Sequence, residues 1–280
     1  MFLRLSNSWQ LIKASAAVLS ADKELIIFPI ISAIGTLVVS LTFAVPMFFG
    51  GVFDSIAGNH SGILPFILAF FFYLAQYIVI FFANTALVGA ALIRLRGGDP
   101  TVSDGFRIAG SHIVSIFGYA VIAATVGMII RMISRKQNGI GRIIISLIGM
   151  AWNIATFLVV PILASEDIGP FQAIKRSVEL LKKTWGEQLV GNFGLGLVFG
   201  LVTFGFIILG GLGIYLAVAL QSVALVVAVV IFVVLVLVVL GLVNSALSGI
   251  YTAAVYRFAV DGNTSGYFDP AMVQNAFRSR

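Results

Sequence analysis

Apolar residues in this chain come in long blocks and not in alternation. Residues 25–50, 63–95, 113–133, 143–163, 189–213 and 223–258 are almost wholly apolar. Each block is long enough for a helix that crosses about 30 Å of hydrocarbon at about 1.5 Å per residue. The stretch from Leu189 to Phe258 is too long for one crossing, and it breaks most naturally near Gly210, Gly211, Gly213 or Gln221-Ser222. Hydrocarbon offers the backbone no hydrogen-bond partner, so blocks of this kind must be helices. A closed barrel would alternate polar and apolar residues over strands of about 10 positions, and even the valine-rich run 223–240 shows no such dyad. The chain therefore reads as an all-α polytopic membrane helix bundle, with six transmembrane helices arranged as three hairpins in a single integral membrane domain over residues 1–280.

Composition agrees with that reading and narrows the chemistry. With 60% of residues apolar, 10% charged and a mean hydropathy of +1.10, the solvent is lipid. The absence of cysteine excludes disulfides, thiolate metal sites and thiol nucleophiles. The excess of 17 basic over 11 acidic residues points to loops that face anionic headgroups, and not to nucleic acid. Of those 17, only Arg131, Arg135, Lys136 and Arg142 fall on one side of the implied topology, in the third-to-fourth turn. All the others lie on the opposite side, which the positive-inside rule makes cytoplasmic together with both termini. The crowded turn leaves two arrangements open: it sits outside, or the third and fourth spans are shallow and re-entrant. The first apolar block is too long for a signal-peptide core and is expected to stay as an anchor.

Between the spans, helical spacing recurs. In residues 1–24, Phe2, Leu5, Trp9, Ile12, Ala16 and Leu19 mark one face, with Arg4, Asn7, Lys13 and Ser15 on the other. A similar stripe of Ile168, Phe171, Ile174, Val178, Leu181 and Trp185 lies away from Lys175, Lys182 and Lys183, and Gly169-Pro170 offers a start. Asp99-Pro100 and Asp269-Pro270 suggest two further helices, each with Asp at the N-cap and Pro in the first turn. These segments, including a terminal one over 261–280, are expected to be amphipathic helices at the headgroup boundary. Inside the even-numbered spans, Asn84-Thr85-Ala86, Asn153-Ile154-Ala155-Thr156 and Asn244-Ser245-Ala246 recur, each followed by an acidic, glycine-containing exit. The chain thus divides into three diverged units, each a boundary helix plus a hairpin.

An amide in hydrocarbon must face protein or water, so Asn84, Asn153 and Asn244 are expected to point inward with Thr85, Thr156 and Ser245. They either tie helices together or form a polar ring. Lys13, Lys175, Arg176, Lys182 and Lys183 are the candidate lipid-headgroup contacts. Gly196 and Gly200, extended by Gly191, Gly205 and Gly210, form a smooth surface for close helix packing. Pro29, Pro46 and Pro161 mark bends at span ends. Every carboxylate falls in a connection, and His60 and His112 stand apart, so no catalytic residue, metal site or cofactor is expected. Neither Gly97-Gly98 nor Gly210-Gly211 matches a nucleotide-binding loop.

The run Ala151-Trp152, Thr156 to Pro161, Glu166, Gly169-Pro170, Ala173, Lys175-Arg176-Ser177, Leu180 and Trp185-Gly186 resembles the signature stretch of a prokaryotic family of six-span membrane proteins of unknown function. So do the opening Trp9, Ile12, Lys13 to Ser15, Leu19, Asp22 and Glu24 to Pro29, and the tail Tyr256-Arg257-Phe258-Ala259, Gly262, Gly266-Tyr267-Phe268-Asp269 and Ala276-Phe277. More distantly, a span followed by acidic-Gly-Pro and Ala-x-x-Arg-Ser is similar to the membrane domains attached to some glycerophosphodiester phosphodiesterases. That likeness implies a shared membrane module and not the phosphodiesterase activity. The expectation is a non-enzymatic protein of a prokaryotic cytoplasmic membrane that binds anionic lipid or a protein partner as a scaffold. The alternative is a passive channel or transporter for a small solute past the three asparagines. The cysteine-free background supplies a topology test. Single cysteines at Ser61, Asn138 and Ser222 should react with an impermeant thiol reagent only from outside, and reaction of position 138 from the cytoplasm would instead support the shallow hairpin.

Overall fold

The computed structural model describes residues 2–49, 63–135, 139–185, 194–264 and 266–275. Those residues contain helices and no strand. In chain order they are α1 (Phe2–Ala21), a short 3-10 turn (Lys23–Ile26), α2 (Ile27–Phe49), α3 (Leu64–Leu95), α4 (Val102–Ser111) and α5 (Ile113–Arg135). Then follow α6 (Ile140–Ala155), α7 (Val159–Ser165), α8 (Pro170–Trp185), α9 (Gly194–Ala219), α10 (Val223–Asp261) and α11 (Pro270–Asn275). Six segments are long and apolar enough to cross a membrane: α2 with its 3-10 lead, α3, α5, α6 with α7, α9 and α10. The chain is thus a multi-pass helical protein, and a non-spanning helix precedes each of three hairpins.

The third and fourth spans are full length. The α5 segment Ile113–Ser134 has 22 residues and the α6–α7 segment Gly141–Ser165 has 25, or roughly 33 and 37 Å at about 1.5 Å per residue. Of the candidate breaks in the final apolar stretch, the one used is Gln221-Ser222, where Gln221 has φ of +50° and the Ser222 hydroxyl accepts from the Leu225 N–H at 3.3 Å. Gly210, Gly211 and Gly213 continue the α9 helix instead.

The hub is α3, which meets α2, α4, α5, α7 and α10. Its buried run Ala83, Thr85, Ala86, Leu87, Val88, Ala90 and Ala91 is short-chained enough to admit several neighbours closely. On α10 the matching surface is Ala246, Ile250, Ala253 and Ala254, with Gly249 facing Leu87 so tightly that a Cβ there would lie 2.5 Å from the Leu87 side chain. Gly105 lets α4 lie across α3, since a Cβ would fall 2.7 Å from the Ala86 carbonyl, which cannot move aside. Large apolar residues on α2, α9 and the first half of α10, such as Leu37, Phe204 and Phe232, are exposed as lipid-facing positions should be. Burial is concentrated in the half of the bundle shared by α1, α4, α7, α8 and the last turns of α3 and α10.

The fourth span is broken, and the break has a cause. Pro161 lacks an N–H and its ring crowds the carbonyl four residues earlier, so the ladder cannot run unbroken through Phe157. The helix stops at Ala155 and resumes at Val159. The amide released by the break is satisfied from outside the span: the Leu158 N–H donates to the buried Ser177 hydroxyl of α8 at 3.1 Å.

Three details differ from the sequence expectation. The stripe on α1 is rotated: Leu11, Ile12, Ala14, Ser15 and Val18 are buried against α9 and α10, whereas Trp9 and Ala16 are exposed. On α8 the buried face is Ala173, Ser177, Leu180, Leu181 and Trp185, and Phe171 points outward. Both helices carry small residues where the bundle requires close approach, and periodicity of large apolar residues does not register those. The N-cap of α4 is Thr101 and not Asp99. Thr101 and Asp104 form a reciprocal capping box that holds the Asp104 carboxyl below its usual value, chiefly through the Thr101 hydroxyl. At α11 the expected cap is present, with the Ala271 N–H donating to Asp269 at 2.8 Å.

Ser177→Ala should destabilise the fold by about 1 to 3 kcal/mol, because it strands the buried Leu158 N–H. Denaturation in mixed micelles measures this, and Ser177→Thr, which keeps the acceptor, should recover part of the loss.

Candidate functional site

Charged side chains form a layer where α1, α3, α7 and α10 end and α4 and α8 begin. Arg94, in the last turn of α3, donates to both carboxylate oxygens of Asp22 at 2.5 and 2.8 Å and to Asp99 at 2.7 Å. Asp22 is buried and Arg94 is largely covered, so this pair joins the start of the first hairpin to the end of α3. Arg257 of α10 donates to the Leu95 carbonyl, one of the orphan acceptors at the α3 terminus, and lies 3.9 Å from Asp261. Glu24 accepts from the Val102 N–H at 3.3 Å, at the start of α4. Glu166 accepts from Tyr256 at 3.0 Å and pairs with Arg176 at 3.4 Å, binding the α7 exit to α8 and α10. In the sequence the charged members of this layer read as charges near span ends, with Asp99 as a helix cap. Their convergence is a product of the fold.

Among the candidate headgroup contacts, the structure separates Arg176 from the lysines. Arg176 is spoken for by Glu166, whereas Lys13, Lys175, Lys182 and Lys183 are exposed and have no ion pair among the described residues. Exposed aromatics lie beside them. Lys13 sits 5.8 Å from the Trp9 ring, and Phe171 precedes Lys175 by one helical turn on α8.

The asparagines do not meet in one place. Asn84 is half-buried beside Thr85, and Asn244 and Ser245 are half-buried on α10, with their motif partners Ala86 and Ala246 fully buried in the α3–α10 packing. The Thr85 hydroxyl is buried with no hydrogen-bond partner among the described residues. Asn153 is exposed on α6 and, with Thr156, lines a cavity of about 470 Å³ between α3, α5 and α6 that neither Asn84 nor Asn244 reaches. Thr156 also donates to the Trp152 carbonyl at 2.8 Å, within the broken turn. Of the expected glycine surface, Gly210 makes a close helix contact. Gly200 and Gly205 have open space where a Cβ would lie, and close approach of α9 to α10 occurs at Gly210, opposite Val233, and at Gly213, opposite Val229. Gly191 and the surroundings of Gly196 lie outside the described residues.

A polar contact that the sequence reading missed joins the first hairpin. Gln76 donates to the Thr36 carbonyl at 3.2 Å and to the Ser40 hydroxyl at 2.8 Å. A lone glutamine amid phenylalanines was its signal, since an amide at that depth needs a partner. Among the described residues no three His, Cys, Asp or Glu side chains are grouped to share a metal ion. His112 closes the end of α4, with Nδ1 2.9 Å from the Ile108 carbonyl, and His60 lies outside the described residues.

The family model described as "Family of unknown function (DUF6159)" matches residues 63–267, well over half the chain. No curated protein matches. No solved structure matches.

Asp22→Asn should lower stability by about 1 to 3 kcal/mol, since it removes one of the two carboxylates that hold Arg94 and leaves Asp99 as its counter-charge. Thermal unfolding in detergent reads the loss. The double variant Asp22→Asn/Arg94→Gln should cost less than the sum of the two single changes if the pair acts as a unit.

Proposed function

The chain belongs to that family of unknown function, so its role must come from its own chemistry, and we propose a non-enzymatic, lipid-binding scaffold of a prokaryotic cytoplasmic membrane. In this reading both termini are cytoplasmic, and α1 and α8 are amphipathic helices lying at the inner headgroup boundary. The observation that carries it is the pairing of exposed aromatic and exposed lysine on both helices: Trp9 with Lys13, and Phe171 with Lys175, reinforced by Lys182 and Lys183. An aromatic ring at the boundary reaches the acyl region while the ammonium stays with the phosphates. Each lysine held near an anionic leaflet contributes about 1 kcal/mol, so four give a marked preference. The similarity of the Glu166, Gly169-Pro170, Ala173 and Arg176-Ser177 stretch to the membrane domains of some glycerophosphodiester phosphodiesterases supports a membrane module. Its Glu166 and Arg176 are engaged in holding α7, α8 and α10 together.

Lipid discs cut from vesicles that contain phosphatidylglycerol and phosphatidylcholine test this. The protein should enrich its surrounding lipid in phosphatidylglycerol at low salt. Enrichment should fall as added salt shortens the screening length, and it should be lost in the variant Lys13→Gln/Lys175→Gln/Lys182→Gln/Lys183→Gln. Equal proportions of the two lipids around the unmodified protein at low salt would remove the reading.

A further inference from the structure

The cleft between α3, α5 and α6 runs away from α1 and α8 toward the opposite boundary. The start of α5 is fixed beside α8, because Ser115 donates to the Ile168 carbonyl at 3.1 Å. Arg131, 16 residues later, is therefore about 24 Å further along the axis. There Arg131 and Arg142, from the two arms of one hairpin, line the same recess of about 590 Å³. A second recess of about 690 Å³ shares Arg142 with it and continues down α6 past Ser146 to Asn153. Asn153 in turn lines the 470 Å³ chamber described above. The three adjoin one another through the shared lining residues Ile130, Arg142, Gly149 and Asn153, and each is in the size range of sites that hold small molecules.

Its chemistry is graded. At the mouth are two guanidiniums, neither with an ion pair among the described residues, and Arg131 lies 5.2 Å from the Tyr73 ring. One turn or so below Arg142 is the Ser146 hydroxyl, about 6 Å deeper by helix rise. Deeper still, the Asn153 amide faces the opening and makes no hydrogen bond among the described residues. An amide at that depth is costly unless something polar reaches it. At the rim, Met150 is exposed and Ile130 is half-buried, so the opening faces sideways into the acyl region as well as toward water.

We propose that this cleft binds one anionic phospholipid from the leaflet opposite α1 and α8. The phosphate is held by Arg131 and Arg142, the glycerol-ester region lies against Ser146, and an acyl chain passes the apolar rim. Planar guanidiniums suit phosphate, which they engage through paired N–H donors. The lateral opening beside two charges at the boundary matches an amphiphile better than a free solute. The site is separate from the lysine-bearing helices and does not depend on them.

Native mass spectrometry of the full-length protein in detergent, with phosphatidylglycerol or phosphatidylcholine added, tests the assignment. The unmodified protein should retain one phosphatidylglycerol in preference to phosphatidylcholine. Arg131→Gln/Arg142→Gln should reduce that retention about tenfold, as expected for loss of charge-assisted phosphate bonds. Gly149→Leu should do the same without touching either charge, because Gly149 lines the opening and has no atom within 4 Å of a built Cβ. The four-lysine variant should keep the bound lipid, which separates this site from the annular preference proposed above. Equal retention of both lipids, or undiminished retention when Gly149→Leu is well folded by its melting transition, would overturn the proposal. So would stabilisation by inorganic phosphate with none from phosphatidylglycerol, which would assign the arginines to a free anion.

Discussion

Hydrocarbon supplies no hydrogen-bond partner, and the main irregularities among the described residues are arranged around that constraint. Where Pro161 interrupts the fourth span, the loosened Leu158 amide is met by Ser177 from another helix. Where α3 ends, its Leu95 carbonyl is met by Arg257 and its terminal charge by Asp22 and Asp99. In mid-hairpin the Gln76 amide is met by the Thr36 carbonyl and the Ser40 hydroxyl. Most polar groups in this medium recruit a partner, either a carbonyl one turn back on the same helix or a group on another, and the second kind joins specific helices.

That requirement gives the bundle unequal ends. Where α1, α4, α7 and α8 gather, the small residues of α3 and α10 allow close crossing, and the ion pairs Asp22–Arg94 and Glu166–Arg176 draw separate segments together. Toward the other end α9 and the first half of α10 present large side chains to lipid. There α5 and α6 separate enough to leave an opening with Arg131 and Arg142 at its mouth. The tight end fixes the architecture. The loose end, where packing does not consume the polar groups, is where a ligand has room.

Residues that carry two meanings in sequence were separated only by their neighbours. Arg176 and Lys175 are adjacent, yet one is held by Glu166 and the other is exposed. Asn84, Asn153 and Asn244 share a local motif, but two sit by the α3–α10 packing and the third faces the α6 cleft. The GxxxG spacing at Gly196 and Gly200 identified a smooth helix surface. The face that α10 meets is set by Gly210, Gly213 and Ala217, about a third of a turn around the helix from Gly200.

From the sequence by itself came the solvent, the number of crossings, the pairing into hairpins and the separation of helices that span from those that do not. These follow from block length and from the backbone's need for internal hydrogen bonds, which are local properties of the chain. Tertiary structure alone decided which face of α1 and α8 is buried, which charges pair, which residue meets the amide freed in the fourth span and which polar residues share a cavity. Those outcomes depend on small side chains and on partners up to 162 positions apart, as with Arg257 and Leu95. No periodicity along one helix reports which residue of another will stand opposite it.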